Sequence, residues 1–486
     1  MNLQSQPFDP HIDSIESQRL AEFLTPILKQ QLKLQRFSQP KYHYHLNLIV
    51  LNLYQSWSSN QDKCVGISRR KNYYDEDQGL YQNKKLSHTY MTKTLDGLEA
   101  LKYVEKVRGG WRDLESGQSE TSRYRASKAL IDLFSEYDLN QQSILKNKAA
   151  VAVRLRGKKP RKTKTNKNPR GKLISYRPTK QTKAMTKNLR VINEALRDTD
   201  INLYASNTEL KALNKHMQKK HEEDPNELTE IQFSRKWLYR VFNESFEKGG
   251  RFYGGFWQEI PSAYRSRITI DHCTTTEIDF DSLHPAMLYL QEGYKKEDYL
   301  DPYQLTKSVG VKILFEEVRI KRSAIKLALN TMLNTKSYKE ALGSLEASKL
   351  KVPKEHKNWK GVLDAIQQYH EPIAHNFYKG IGLELQALDS QIVEKILLDL
   401  IEQNTIALPV HDSFLCKLKD MKVLIETMNE ATKQFLGSDL FISLEPRKLE
   451  EPTKALTVKN SNFYKRRNNY LKRFNTQEDP KEPYLV

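Results

Sequence analysis

Between Lys146 and Arg190 the chain carries 17 lysines and arginines and not one aspartate or glutamate. Charges of one sign packed this densely repel one another. The stretch RLRGKKPRKTKTNKNPRGK also has few large apolar residues and two prolines, Pro160 and Pro169, so it is not expected to pack a core. It divides the 486-residue chain in two and holds nearly all of the net charge of +19, because outside it 62 basic residues face 60 acidic ones. The plain reading of such a run is a solvated linker. The functional reading is a flexible arm, centred on Lys158, Lys159, Arg161, Lys162 and Lys164, that neutralises the phosphates of a polyanion without reading its sequence.

Several classes are disfavoured. No run approaches the roughly 18 consecutive apolar residues of a membrane span. The start, MNLQSQPFDPHIDSIESQ, lacks the basic and apolar regions of a secretory signal. Cys64, Cys273 and Cys416 lie too far apart for a disulfide framework or a zinc knuckle. The expectation is a soluble, cytoplasmic protein of a reducing compartment, neither secreted nor partnered with a membrane. A core is within reach, since 25 Tyr and 17 Phe supply large apolar surface.

Before the arm, residues 1–40 read as a polar lead-in with an amphipathic helix near Leu20 to Leu34. HLNLIVLNLYQSW, His45 to Trp57, reads as a buried helix. A further helix begins at Ser87 or Thr89 and carries Met91, Leu95, Leu98 and Leu101 on one face. It runs into the strand YVEKV, a turn at Gly109-Gly110, a polar loop, and TSRYRAS leading to another helix. Helix, strand, hairpin loop, strand over 41–140 resembles winged-helix domains of bacterial replication and regulatory proteins. That resemblance implies a helix 89–102 in the major groove and a wing at 109–122. Lys84, Lys85, Lys93, Arg108, Arg112, Arg123 and Arg125 are its expected phosphate contacts, and other replication proteins are expected partners of the same domain. A helical domain with an incidental hairpin, used for protein contacts, is the alternative.

After the arm, three segments combine. TEIDFDSLHPAMLYL reads as a strand ending at Asp279, then a turn and a helix from near Pro285; a carboxylate beside the next peptide carbonyl makes an oxygen-rich edge for Mg²⁺. In EVRIKRSAIKLALNTMLNTKSY, Arg322, Lys326, Asn330 and Asn334 recur every four residues and share one helix face, with Ile325, Leu329 and Leu333 on the stripe that packs. NTIALPVHDSFLCKL reads as a hairpin with His411 and Asp412 at its tip, where Asp412 can complete a two-ion site with Asp279. Taken alone, the helix is an ordinary amphipathic one.

In this order the segments resemble motifs A, B and C of right-hand polymerases, most closely family A, the bacterial DNA polymerase I type. DFDSLHP is similar to the family A pattern DYSQIE and to the family B pattern DxxSLYP. R-x3-K at Arg322 and Lys326 resembles the family A fingers helix, and VHDS resembles the VHDE hairpin. GGRFYGGFWQEIP, at Gly249 to Pro261, is similar to the GR…LQNIP segment, and LQALDSQIVEKIL to the helix before motif C. The resemblance spans about Gly249 to Leu418, roughly a third of the chain.

It implies an α+β, multidomain chain: an antiparallel palm sheet at 249–300 and 380–450, helical fingers at 301–379 and a thumb at 191–248, preceded by the winged-helix-like domain and the arm at 141–190. A basic and aromatic tail, 451–486, includes FYKRRNNYLKRF. It implies Asp279 and Asp412 as catalytic ligands of two Mg²⁺, or Mn²⁺, with the Phe280 carbonyl as a further ligand. Arg322, Lys326, Asn330 and His284 would face the nucleotide, and Arg251, Gln258, Gln386 and His411 the primer–template. The implied partners are dNTPs and DNA, with RNA as the alternative template. His284 stands where family A has a sugar-screening Glu, Asn330 and Asn334 where it has aromatics, and Ser413 where it has a second carboxylate. The expected activity is primer extension without a proofreading exonuclease, at home in a phage, plasmid or mobile element. A primase or RNA polymerase, or an initiator with an inactive palm, is the rival.

Overall fold

The computed structural model describes residues 5–75, 79–109, 111–112, 119–146, 150–160, 163, 169–223, 230–295, 301–303, 322–348, 350, 358–440 and 442–445. The fold is mixed α+β, built on two hydrophobic cores, one drawn from Phe8 to Ile144 and the other from Ala152 to Leu440. Among the described residues no helix is long and apolar enough to cross a membrane.

The first core begins earlier than the sequence suggests. The helix Ile15–Leu32, capped by the Ser14 hydroxyl accepting from the Ser17 N–H, buries Leu20, Leu24 and Leu28 in the same core as Leu46, Ile49 and Leu53 of the helix Gln39–Ser59. Residues 5–40 are therefore not a lead-in but a wall of this unit. The helix His88–Ala100, the strands Val104–Arg108 and Ser122–Ala126 and the helix Lys128–Glu136 follow in the expected order. The sheet has two further members, Ser5–Pro7 and Cys64–Ile67, each too short to show alternation. Residues 110 and 113–118, at the tip of the proposed wing, lie outside the described residues, as does the Arg112 side chain. Lys84, Lys85 and Lys93 are exposed. By contrast Arg108 and Arg123 both pair with Glu120, and Arg125 with Glu105. Part of the expected cationic face is thus neutralised from within.

The second core supports a six-stranded antiparallel sheet. Its order is Ile201–Leu203, Ile268–Ile270, Cys273–Phe280, Ser413–Lys417, Ala407–Val410, with Ile442–Glu445 also paired to Cys273–Phe280. A smaller sheet, in the order Ser245–Tyr253, Tyr239–Asn243, Val153–Arg156, packs against the long helix Gly382–Glu402. Two expectations change here. The flanks of the basic arm are core elements: Val153 and Leu155 are buried, and the helix Lys180–Arg197 buries Met185, Leu189, Ile192 and Leu196. Apolar residues at the right period suffice to fold it, because the lysines occupy the opposite face. Of the arm's central cations, Lys158 and Lys159 are exposed, and Arg161, Lys162 and Lys164 lie outside the described residues. The thumb-like segment 191–248 is also not separate, since it supplies an edge strand to the large sheet and the middle strand to the small one. The tail 451–486 lies outside the described residues.

A buried histidine ties the segment 301–303 to this core. His370 Nε2 must donate to the Pro302 carbonyl (3.0 Å), so Nδ1 accepts from the Tyr289 hydroxyl (2.8 Å) and the ring is neutral. Burial pushes its pKa down to about 4. The unfolded chain, with an ordinary histidine near 6.5, then takes up the proton first as pH falls. The stability this residue contributes is complete above about 6.5 and is lost down to about 4, by about 3 kcal/mol. Urea unfolding between pH 7 and 4.5 should show a shallower decline for His370→Asn than for wild type. An equal or steeper decline would contradict the neutral, buried ring.

Candidate active site

Asp279 is the penultimate residue of the strand Cys273–Phe280, and Asp412 sits in the two-residue turn between Ala407–Val410 and Ser413–Lys417. His411 takes a left-handed backbone conformation (φ 60°), which lets the chain reverse that tightly. Antiparallel register pairs Asp279 with Ser413, and the Phe280 N–H donates to the Asp412 carbonyl at 3.4 Å. The two carboxylates therefore leave adjacent strands at the same end of the sheet. Both line one cavity of about 500 Å³. The half-buried Asp412 carboxylate makes no hydrogen bond or ion pair among the described residues.

The helix Arg322–Asn334 forms the facing wall. Ala324, Ile325, Ala328, Leu329, Met332 and Leu333 are buried, which turns Arg322, Lys326, Asn330 and Asn334 into the cavity as their spacing requires. Gly382, the first residue of the helix Gly382–Glu402, allows this helix to approach closely: a Cβ there would lie 2.1 Å from Asn334 Oδ1. Arg251 and Gln386 close another side, and Phe280, Asp281, Ser282, Leu283 and His284 line the floor after the strand. Nine of the eleven site residues expected from the sequence thus meet: Asp279, Phe280, His284, Arg251, Arg322, Lys326, Asn330, Gln386 and Asp412.

Two do not. The Gln258 side-chain amide donates to the carbonyls of Phe252 (3.0 Å) and Pro409 (3.1 Å) and accepts from the Gly255 N–H (3.3 Å). Gln258 is a brace between a turn and the hairpin, with both amide hydrogens engaged within the protein. His411 is exposed on the outer side of the tip, its ring 6.4 Å from that of Tyr253, and does not line the cavity.

The structure adds residues that sequence reasoning missed. Asp301 accepts from Arg322 through both oxygens (2.6 and 3.2 Å), which raises the arginine's proton affinity further. The buried Tyr303 ring lies under Arg322 and Lys326, at 5.0 and 5.7 Å. No local pattern in the surrounding sequence marks either residue, because they meet Arg322 and Lys326 only in the folded chain, where His370 bonds the Pro302 carbonyl between them. Asp389, on the helix Gly382–Glu402, accepts from Arg251 Nε at 3.0 Å with 1% of its side chain exposed. Burial pushes this carboxyl up to about 7; Asp412 adds to the rise and Arg251 opposes it. A carboxylate at a core-facing helical position was the available signal. His284 is held neutral, with a pKa near 4, by burial and by Arg251, against the opposing pull of Asp412. Its Nε2 has no hydrogen-bond partner among the described residues. Glu277, two residues before Asp279 on the same strand, accepts from the Ser413 hydroxyl (2.8 Å) and pairs with Arg265 (3.3 Å).

The donor set is one that Mg²⁺ accepts. No group of three or more His, Cys, Asp or Glu residues at metal-binding geometry occurs among the described residues. Mg²⁺ nevertheless commonly binds through one or two carboxylates, completing its shell with water and substrate phosphate oxygens. Asp279, the uncommitted Asp412 carboxylate and the Phe280 carbonyl fit that pattern. No family model and no curated protein matches the chain.

Proposed function

We propose that the chain is a template-directed DNA polymerase without a proofreading exonuclease, extending a primer 3′ end with dNTPs. The observation that supports this reading is that Asp279, Asp412, Arg322 and Lys326 line a single cavity. Two carboxylates facing two cations suit a metal-bound triphosphate better than any neutral ligand. Asp279, Asp412 and the Phe280 carbonyl would hold two Mg²⁺, which supply activation of the primer hydroxyl and neutralisation of the pyrophosphate leaving group. Arg322 offers a planar fork to phosphate oxygens and Lys326 a point charge. Arg251, fixed by Asp389, and Gln386 would face the primer–template. The N-terminal unit would be a winged-helix-like DNA-binding domain, with the exposed Lys84, Lys85 and Lys93 beside its helix His88–Ala100 as phosphate contacts.

One observation favours a second reading, an RNA polymerase or primase. A neutral His284 lines the cavity, and its Nε2, without a hydrogen-bond partner among the described residues, can bond a ribose 2′-hydroxyl in the position where the family A pattern has a sugar-screening glutamate. Primer extension with dNTPs and, separately, with rNTPs decides between the two. Extension with dNTPs is expected, with incorporation of rNTPs falling at least tenfold in His284→Glu. Extension with rNTPs alone establishes the second reading. No extension under either condition, with DNA binding intact, leaves a non-catalytic initiator.

A further inference from the structure

The small sheet next to the cavity has one face in the core and one turned outward. Along Val153–Arg156 the buried Val153 and Leu155 alternate with Arg154 and Arg156, and along Tyr239–Asn243 the buried Arg240 and Phe242 alternate with Tyr239 and Val241. On the third strand Phe252 is buried between Arg251 and Tyr253. Register places Tyr239 opposite Tyr253, and Val241 opposite both Arg251 and Arg154, so these side chains share the outer face. The rings of Trp237, Tyr239, Tyr253 and His411 follow one another at 5.9, 6.3 and 6.4 Å. The Arg154 guanidinium lies flat on Tyr239, 3.7 Å from its centroid.

Arg251 pairs with Asp389, and Arg154 Nε and Arg156 Nη1 donate to the carbonyls of Val151 (3.2 Å) and Gly171 (2.7 Å), which leaves the charge of the latter two without a counter-ion. Arg154, Arg156 and the exposed Arg170 make no ion pair among the described residues. Burial, and then Arg170, both work against the charge on Arg156, so the cluster is short of anions. The face is also continuous with the candidate site at two points: Arg251 lines the cavity, and His411 precedes Asp412 in the hairpin turn.

We propose that this outer face is a track for single-stranded DNA, the unpaired part of the template strand. The exposed rings of Tyr253 and His411 offer stacking surfaces at one end of the row, and guanidinium groups beside them hold the phosphates. Duplex DNA cannot use the rings, because its base faces are already stacked on one another. The inference deepens the polymerase reading and rests on it for where the strand leads, while the binding itself does not require catalysis.

The test uses the full chain and a fluorescein-labelled oligothymidylate, read by anisotropy over a range of salt, beside the same strand annealed as duplex. Tyr253→Ala should weaken binding of the single strand about five- to a hundredfold and leave duplex binding unchanged, whereas Tyr253→Trp keeps wild-type affinity. Arg156→Ala should lower the slope of log affinity against log salt by about 0.7. Unchanged single-strand affinity in Tyr253→Ala, or an equal loss on duplex, overturns the track. Wild-type protein that extends no primer but loses single-strand binding in Tyr253→Ala retains the track and removes the polymerase reading.

Discussion

Asp412→Asn should reduce primer extension by about a thousandfold or more, the scale of several kcal/mol of lost transition-state charge stabilisation, and should leave the protein at least as stable as wild type. The two halves of the prediction have one cause. A half-buried carboxylate with no hydrogen bond or ion pair among the described residues contributes nothing visible to the fold. Its charge also acts against Asp389, whose carboxyl it helps to push up to about 7. Removing that charge relieves a like-charge repulsion, while under the proposed mechanism it also deletes a metal ligand. Single-turnover extension and a thermal melt of the same preparation read both effects. Extension within tenfold of wild type would remove Asp412 from catalysis. A lost activity accompanied by a large fall in melting temperature would make it a structural residue instead.

That a site could be read from sequence at all reflects how local its parts are. Asp279 lies at a strand end, Arg322 and Lys326 one helical turn apart, and Asp412 in a two-residue turn; each geometry is set by its own few residues. The residues that were missed reach the cavity through long-range contacts. Asp301 and Tyr303 depend on His370, nearly seventy positions later in the chain. Asp389 matters only because Arg251 lies across from it. Gln258 turned out to brace the backbone, a role that the sequence cannot separate from contact with a base edge because an amide suits both. In the basic arm, charge density hid the alternation of VRLR and the helical period of Met185, Leu189, Ile192 and Leu196. Periodicity, not net charge, decided that those flanks pack.

Arg240→Ala should destabilise the protein by about 3–5 kcal/mol, the usual cost of removing one member of a buried ion pair. Arg240 is fully buried between the rings of Phe242 and Phe252. Its Nε donates to the Gly250 carbonyl (2.8 Å) and Nη2 to the Ser390 hydroxyl (2.6 Å), while Nη1 lies 3.0 Å from Glu394. Alanine would leave a carboxylate, a carbonyl and a cavity behind. Each of these contacts is close to the site: Gly250 precedes Arg251, and Ser390 follows Asp389. The guanidinium thus clasps the strand carrying Arg251 to the helix carrying Asp389 and Gln386. Urea unfolding should show the loss in Arg240→Ala and recovery of most of it in the double variant Arg240→Met, Glu394→Leu, where apolar side chains replace the pair. Extension should remain impaired in that double variant, because a methionine cannot hold the Gly250 carbonyl in place beside Arg251. A single variant within 1 kcal/mol of wild type, or a double variant with full activity, would show that the clasp neither stabilises the fold nor positions the wall of the site.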